Sequence, residues 1–296
     1  MENNSRRNLL KKMAVGGMAF AAAPSLNAFS ITAKESDPLK GNIHHSICQW
    51  CASFMSLDEM CLWAKSIGIN AIDLIKPQDW PTLKKHGIEC SMCYTDGKIS
   101  LTEGWNDVNN HTWLIEDFKR AIVLVNAAKY KNLICFSGNR NGMDDETGLK
   151  NCVKGLKEIM PLAEKNNVII QMELFNSKVD HKDYMADKSA WGVELCKRLD
   201  SPNFKLLYDI YHMQINEGDV IRTIKDNHQY FGHYHTAGVP GRHDIDETQE
   251  LYYPAIMKAI VETGFKGYVA QEFIAKGDEN KTKLAALEKG IRICDV

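Results

Sequence analysis

One pattern recurs eight times along this chain from about Leu39 onward: a short apolar run, then a longer stretch whose apolar residues fall three and four apart. The runs at 45–48, 71–74, 89–93, 132–136, 168–173, 205–209, 231–235 and 267–272 read as strands. Helices are predicted at 56–67, 80–86, 110–130, 146–166, 184–199, 219–227, 254–263 and 281–293. Ser56 and Glu59 form a capping box, in which each side chain satisfies the other's free backbone N–H. Gly68, Gly87 and Gly264 stand where a helix would end in a left-handed residue. Strand and helix in alternation require parallel strands joined by crossovers. Eight such units in about 260 residues predict one α/β barrel closed on itself, over residues 40–296.

Residues 1–35 fall outside that pattern. The segment Ser5-Arg6-Arg7-Asn8-Leu9-Leu10-Lys11 resembles a twin-arginine export motif, and the mildly apolar stretch 13–23 behind it is too short to cross a bilayer. The expectation is an export signal that delivers a folded protein to the periplasm; a cytoplasmic protein with a basic start is the alternative. The 36 basic and 38 acidic residues leave a formal charge of −2, which favours neither nucleic acid nor a membrane surface as partner. The nine cysteines are odd in number and set in apolar segments, as small core residues rather than a disulfide framework. Cys90 and Cys93 make a C-x-x-C pair, but the second pair of a structural zinc site is missing.

Four of the last strands close on a polar residue: VIIQME on Glu173, FKLLYD on Asp209, YFGHYH on His235 and GYVAQE on Glu272. A carboxylate or imidazole at the end of a buried strand needs a partner. In a parallel barrel the carboxyl-terminal ends of neighbouring strands converge on one rim, so four such ends suggest a shared partner, one divalent cation. Three carboxylates and one imidazole suit Mn²⁺ or Mg²⁺, with Co²⁺ and Zn²⁺ also compatible, and disfavour thiolate-seeking metals.

The stretches IIQMELFNS, LLYDIYHMQINEGD, GHYHTAGVPGRHDID and VAQEF occur in this order, and with them the chain resembles the xylose-isomerase-like barrel superfamily. Within it, the hydroxypyruvate isomerases and the keto-sugar 3-epimerases are most similar, over roughly residues 43–293. The resemblance implies metal ligation by Glu173, Asp209, His235 and Glu272, and substrate contacts from His212 and Arg242. Hydroxypyruvate isomerases often carry glutamine where this chain has His235, whereas the sugar epimerases carry histidine. Asn176, after the fifth strand, and Trp50, after the first, are further candidates for contact with substrate. His181, His243, Asp244 and Asp246 read as loop polar groups, and the pair Tyr252 and Tyr253 as the anchor of a helix start or a subunit contact.

The expected chemistry is proton transfer between carbons of a small keto acid or keto sugar. A base must stand beside a C–H that is α to a carbonyl, and an electrophile must stabilise the enediolate that forms. Glu173 and Glu272 are the candidate acid/base pair. Hydroxypyruvate to tartronate semialdehyde is the named example; a keto-sugar 3-epimerase, or a polyol dehydratase or lyase, is the alternative. From another class comes a barrel that binds carbohydrate without turning it over. An endonuclease would need more histidines for a three-zinc cluster and a basic groove. A homo-oligomer is left open.

Overall fold

The computed structural model describes residues 37–296, so the expected export signal at 1–35 lies outside the described residues. The strands β1 (His44–Ile47), β2 (Ala71–Ile75), β3 (Glu89–Cys93), β4 (Asn132–Cys135), β5 (Ile169–Glu173), β6 (Phe204–Asp209), β7 (Phe231–Thr236) and β8 (Tyr268–Gln271) form one sheet in the order β1-β8-β7-β6-β5-β4-β3-β2. Every pairing in it is parallel. A single parallel bridge, Cys48 to Asp73, joins the two ends of that order and brings β1 against β2. The result is a nearly closed (β/α)8 barrel whose strands lie within one residue of the runs read from sequence. Helices pack round it with the capping box at Ser56 and Glu59 in place, and Gly68, Gly87 and Gly264 adopt positive φ. Among the described residues no helix is long and apolar enough to cross a membrane.

The helices depart from expectation where local chemistry outweighs periodicity. The span 146–166 is two helices, Asp145–Lys157 and Met160–Asn166. Pro161 is the reason: it cannot donate a backbone hydrogen bond inside a helix and fits only its first turn, where it stands in the second of the two. The expected helix at 184–199 begins at Ser189 instead. Tyr184 lies in the preceding loop, where its hydroxyl accepts from Ser137 N and donates to Glu173 O, each at 3.0 Å. A helix that periodicity did not reveal, Ile210–Asn216, starts directly after β6. Its N-cap is Asp209, whose carboxylate accepts from His212 N at 3.0 Å.

The barrel interior is polar. Aliphatic side chains usually fill such a barrel in layers. Here Ser46, Asp73, Ser91, Gln171 and His233 are fully buried, below the rim that carries Glu173, Asp209 and His235. In β2 the register shifts on either side of Asp73, and Leu74 adopts a left-handed φ of 60°.

Candidate metal and substrate site

Each expected ligand is delivered by the end of a strand. Glu173, Asp209 and His235 lie in β5, β6 and β7, and Glu272 follows the last residue of β8, its N–H bonded to Thr236 O at 2.9 Å. One donor atom from each of the four lies within 4.8 Å of the others. His235 Nδ1 sits 3.0 Å from Glu173 Oε1 and 3.1 Å from Glu272 Oε2. None of the four is more than 4% exposed.

The electrostatics of this cluster suit a cation. Burial lifts the Glu173 carboxyl to about 7, with Glu272 adding to the rise against the opposing pull of His235. Burial and then the charge of Glu272 push Asp209 well above the usual carboxylate range. Burial works against protonated His235, yet Glu272, Glu173 and the hydrogen bond to Asp73 together raise its pKa well above the usual value. Only Glu272 is driven low, because the attraction of Arg242 and His235 outweighs its burial. Several buried acids thus compete for little positive charge. A divalent ion held by the three carboxylates and His235 Nδ1 would relieve that conflict, and the donor set suits a hard or borderline cation.

A second group, Cys48, Asp73 and His235, also lies within 4.8 Å, but it is poorly suited to metal. It uses the other nitrogen of the same imidazole. Burial, Cys51 and the neighbouring carboxylates hold the Cys48 thiol far above its usual pKa, so it stays protonated, whereas a thiol ligand must lose its proton.

The expected substrate residues surround this cluster in different ways. Trp50, about a third exposed, donates its indole N–H to Glu272 Oε1 at 3.1 Å. Arg242 donates to Glu272 Oε2 at 2.5 Å, and its guanidinium lies over the rings of Trp50 (5.2 Å) and Tyr211 (5.9 Å). The turn before it contains a cis Val239–Pro240 bond, and Gly241 and Arg242 both have positive φ. Arg242 Nε is buried without a partner and so keeps a hydrogen to give. His212 is fully buried in the first turn of Ile210–Asn216, the helix that Asp209 caps. Asn176 is buried as well, with Nδ2 2.6 Å from His212 Nδ1, so it orients that ring.

Two residues that sequence reasoning passed over complete the surroundings. Asp73 in β2 is fully buried and accepts from His235 Nε2 at 2.7 Å and from Ser91 Oγ at 2.5 Å. His233 Nε2 lies 3.3 Å from the same carboxylate. The signal was present: Asp73 is an acid inside an apolar run, AIDLI, but it does not end that run. His181, a loop residue, stacks its ring on Phe175 with centroids 4.2 Å apart, and burial followed by Arg242 lowers its pKa. Asp244 accepts from Lys276 N, and Asp246 caps Thr248. His243 faces Ile274 O through Nδ1 at 2.8 Å. Tyr253 starts its helix, Tyr253–Glu262, fully buried, whereas Tyr252 is exposed.

Comparison with known proteins follows the same lines. The family model described as xylose isomerase-like TIM barrel matches residues 63–293. A curated protein named putative hydroxypyruvate isomerase, from Danio rerio, is 28% identical over 125 residues, which are 42% of this chain and 45% of that protein. The chain therefore matches less than half the length of that relative. A 2-oxo-tetronate isomerase from Pectobacterium atrosepticum is 25% identical over 228 residues, 72% of this chain and 85% of the relative. Among solved structures, that of an AP endonuclease, family 2, from Brucella melitensis superposes with a TM-score of 0.71 at 20% identity, covering 84% of this chain and 97% of that one. Identity at that level speaks to the fold alone.

Proposed function

The chain belongs to the xylose isomerase-like TIM barrel family, and from that premise we propose that it is a metal-dependent isomerase of a small hydroxy-keto compound, working through an enediolate. The observation that carries the reading is the convergence of Glu173, Asp209, His235 and Glu272, buried at the carboxyl-terminal rim with donor atoms within 4.8 Å of one another. Curated relatives named for isomerisation of hydroxypyruvate and of 2-oxo-tetronate support the same reaction class.

An ion in this site would supply electrophilic stabilisation to a carbonyl and its neighbouring hydroxyl as charge grows on oxygen. The protein's own side chains do the rest. Glu272, fixed on one oxygen by Trp50 and on the other by Arg242, is placed to take a proton from the substrate carbon. Glu173, whose backbone is held by Tyr184, stands across His235 and can return a proton to the adjacent carbon. His212 presents Nε2 to the site, and Arg242, with its Nε still free, can bind a carboxylate or a pair of hydroxyls.

As substrate we favour hydroxypyruvate, converted to tartronate semialdehyde. The second reading is a keto-sugar 3-epimerase, favoured by the imidazole at 235. One experiment tests the class and separates the two. Protein loaded with Mn²⁺ is incubated in D₂O with a panel of keto acids and keto sugars. Deuterium entering hydroxypyruvate carbon supports the first reading, and deuterium at C3 of a keto sugar supports the second. Exchange into no member of the panel would sink both. On the strength of Arg6 and Arg7 we also keep export in the reading; residues 1–35 fused to a reporter that works only outside the inner membrane should export it, and Arg6→Lys with Arg7→Lys should stop it.

A further inference from the structure

We propose that Asp73 is a positioning residue for the metal site: its carboxylate holds the Nε2–H of His235 and thereby turns Nδ1, unprotonated, toward the ion. The proposal rests on the metal-dependent reading above and assigns a role to a strand, β2, that contributes no ligand.

The geometry carries it. His235 has two ring nitrogens and two kinds of neighbour: Nδ1 faces Glu173 and Glu272, and Nε2 faces Asp73 at 2.7 Å. A neutral imidazole carries one N–H, and a metal ligand nitrogen must be bare. An ionised carboxylate has only lone pairs to offer, so it draws the hydrogen to Nε2 and leaves the lone pair on Nδ1. A carboxylate behind a ligand histidine also fixes the plane of the ring.

Asp73 is itself held for that task. Ser91 Oγ donates to Oδ1, and Oδ2 takes the His235 imidazole at 2.7 Å, with His233 Nε2 at 3.3 Å and Cys48 Sγ at 3.6 Å on the same oxygen; Ser91 lies against Ser46 Oγ at 2.9 Å. The left-handed Leu74 and the register shifts beside it belong to the same strand segment, where Asp73 also makes the bridge to Cys48 that brings β1 to β2. A fully buried acid with a hydroxyl on one oxygen and His235 at its shortest contact on the other is a built arrangement rather than a stray charge. Asparagine in its place keeps the volume but loses this one-way demand. Its amide can present NH₂ to Nε2, which would then need the lone pair there and put the hydrogen on Nδ1.

The test is Mn²⁺ affinity, read from the electron paramagnetic resonance of the free ion, beside the unfolding temperature of metal-free protein. For Asp73→Asn we expect affinity to fall by about tenfold to a hundredfold with the metal-free unfolding temperature little changed. Ser91→Ala, which loosens the carboxylate without removing it, should fall in the same direction by a smaller factor. Should Asp73→Asn fold poorly, the Ser91→Ala result decides. Wild-type protein that binds Mn²⁺ while both variants bind it equally well overturns the role of Asp73 and leaves the metal reading intact. Wild-type protein that takes up none of Mn²⁺, Co²⁺ or Zn²⁺ overturns both.

Discussion

Asn176 Nδ2 lies 2.6 Å from His212 Nδ1, and the amide's orientation is fixed because its oxygen accepts from Val179 N and Asp180 N. An amide nitrogen has only hydrogens to give, so Nδ1 of His212 is bare. Burial, and then Arg242, lowers the pKa of His212 far below the usual value, so the ring is neutral and its one hydrogen is on Nε2. Asn176→Asp reverses the demand and should place the hydrogen on Nδ1. We expect turnover to fall by about a hundredfold with the fold retained. Nitrogen NMR of the ring should show the exchanged tautomer, and an unchanged tautomer would refute the role of Asn176.

Glu173→Gln and Glu272→Gln should each reduce turnover by at least about a thousandfold, because an amide cannot exchange a proton with carbon. Circular dichroism should stay that of the wild type. Normal activity in either variant removes that residue from the mechanism.

Chelation should both stop turnover and lower the unfolding temperature, since an ion that binds only the folded chain adds to its stability. At a free concentration a hundredfold above Kd that contribution is about 2.7 kcal/mol. Adding Mn²⁺ back should restore both. If calorimetry shows the same unfolding temperature with and without chelator, the four-donor site is not holding an ion.

Arg242→Lys keeps the charge but loses the planar fork and its stacking between Trp50 and Tyr211. We expect kcat/KM to fall by about tenfold to a hundredfold, the scale of one lost charge-assisted hydrogen bond. Steady-state kinetics across the substrate panel would reveal an unchanged value if the guanidinium is idle.

Tyr253 holds Ala237, which begins the loop that carries Arg242. Its hydroxyl accepts from Ala237 N at 3.0 Å and donates to Ala237 O at 2.7 Å, all in the buried interior. Tyr253→Phe strands both backbone groups and should cost about 2 kcal/mol in urea unfolding. No loss of stability would mean that Ala237 finds other partners.

The barrel was legible because strand and helix periods alternate along the chain, and the cluster of Glu173, Asp209, His235 and Glu272 because a polar residue at the end of an apolar strand stands out. Asn176 and His212 were found as residues, but their relation was hidden: it is a contact between a loop after β5 and a helix after β6. That helix was itself missed because Asp209 was read only as a strand end, when aspartate is also a good N-cap. Asp73 escaped for a different reason. An acid inside a strand is a signal only when one knows which face it lies on, and the bulge beside Leu74 decides that. The split at Pro161 was visible in the sequence and was overridden by the apolar spacing around it.

Seen from the seam, the single bridge between β1 and β2 couples mechanical integrity to ligand geometry, because the residue that stitches the cylinder shut is also the one that steadies an imidazole across the lumen. Any movement that loosens this stitch would also loosen the hold on His235.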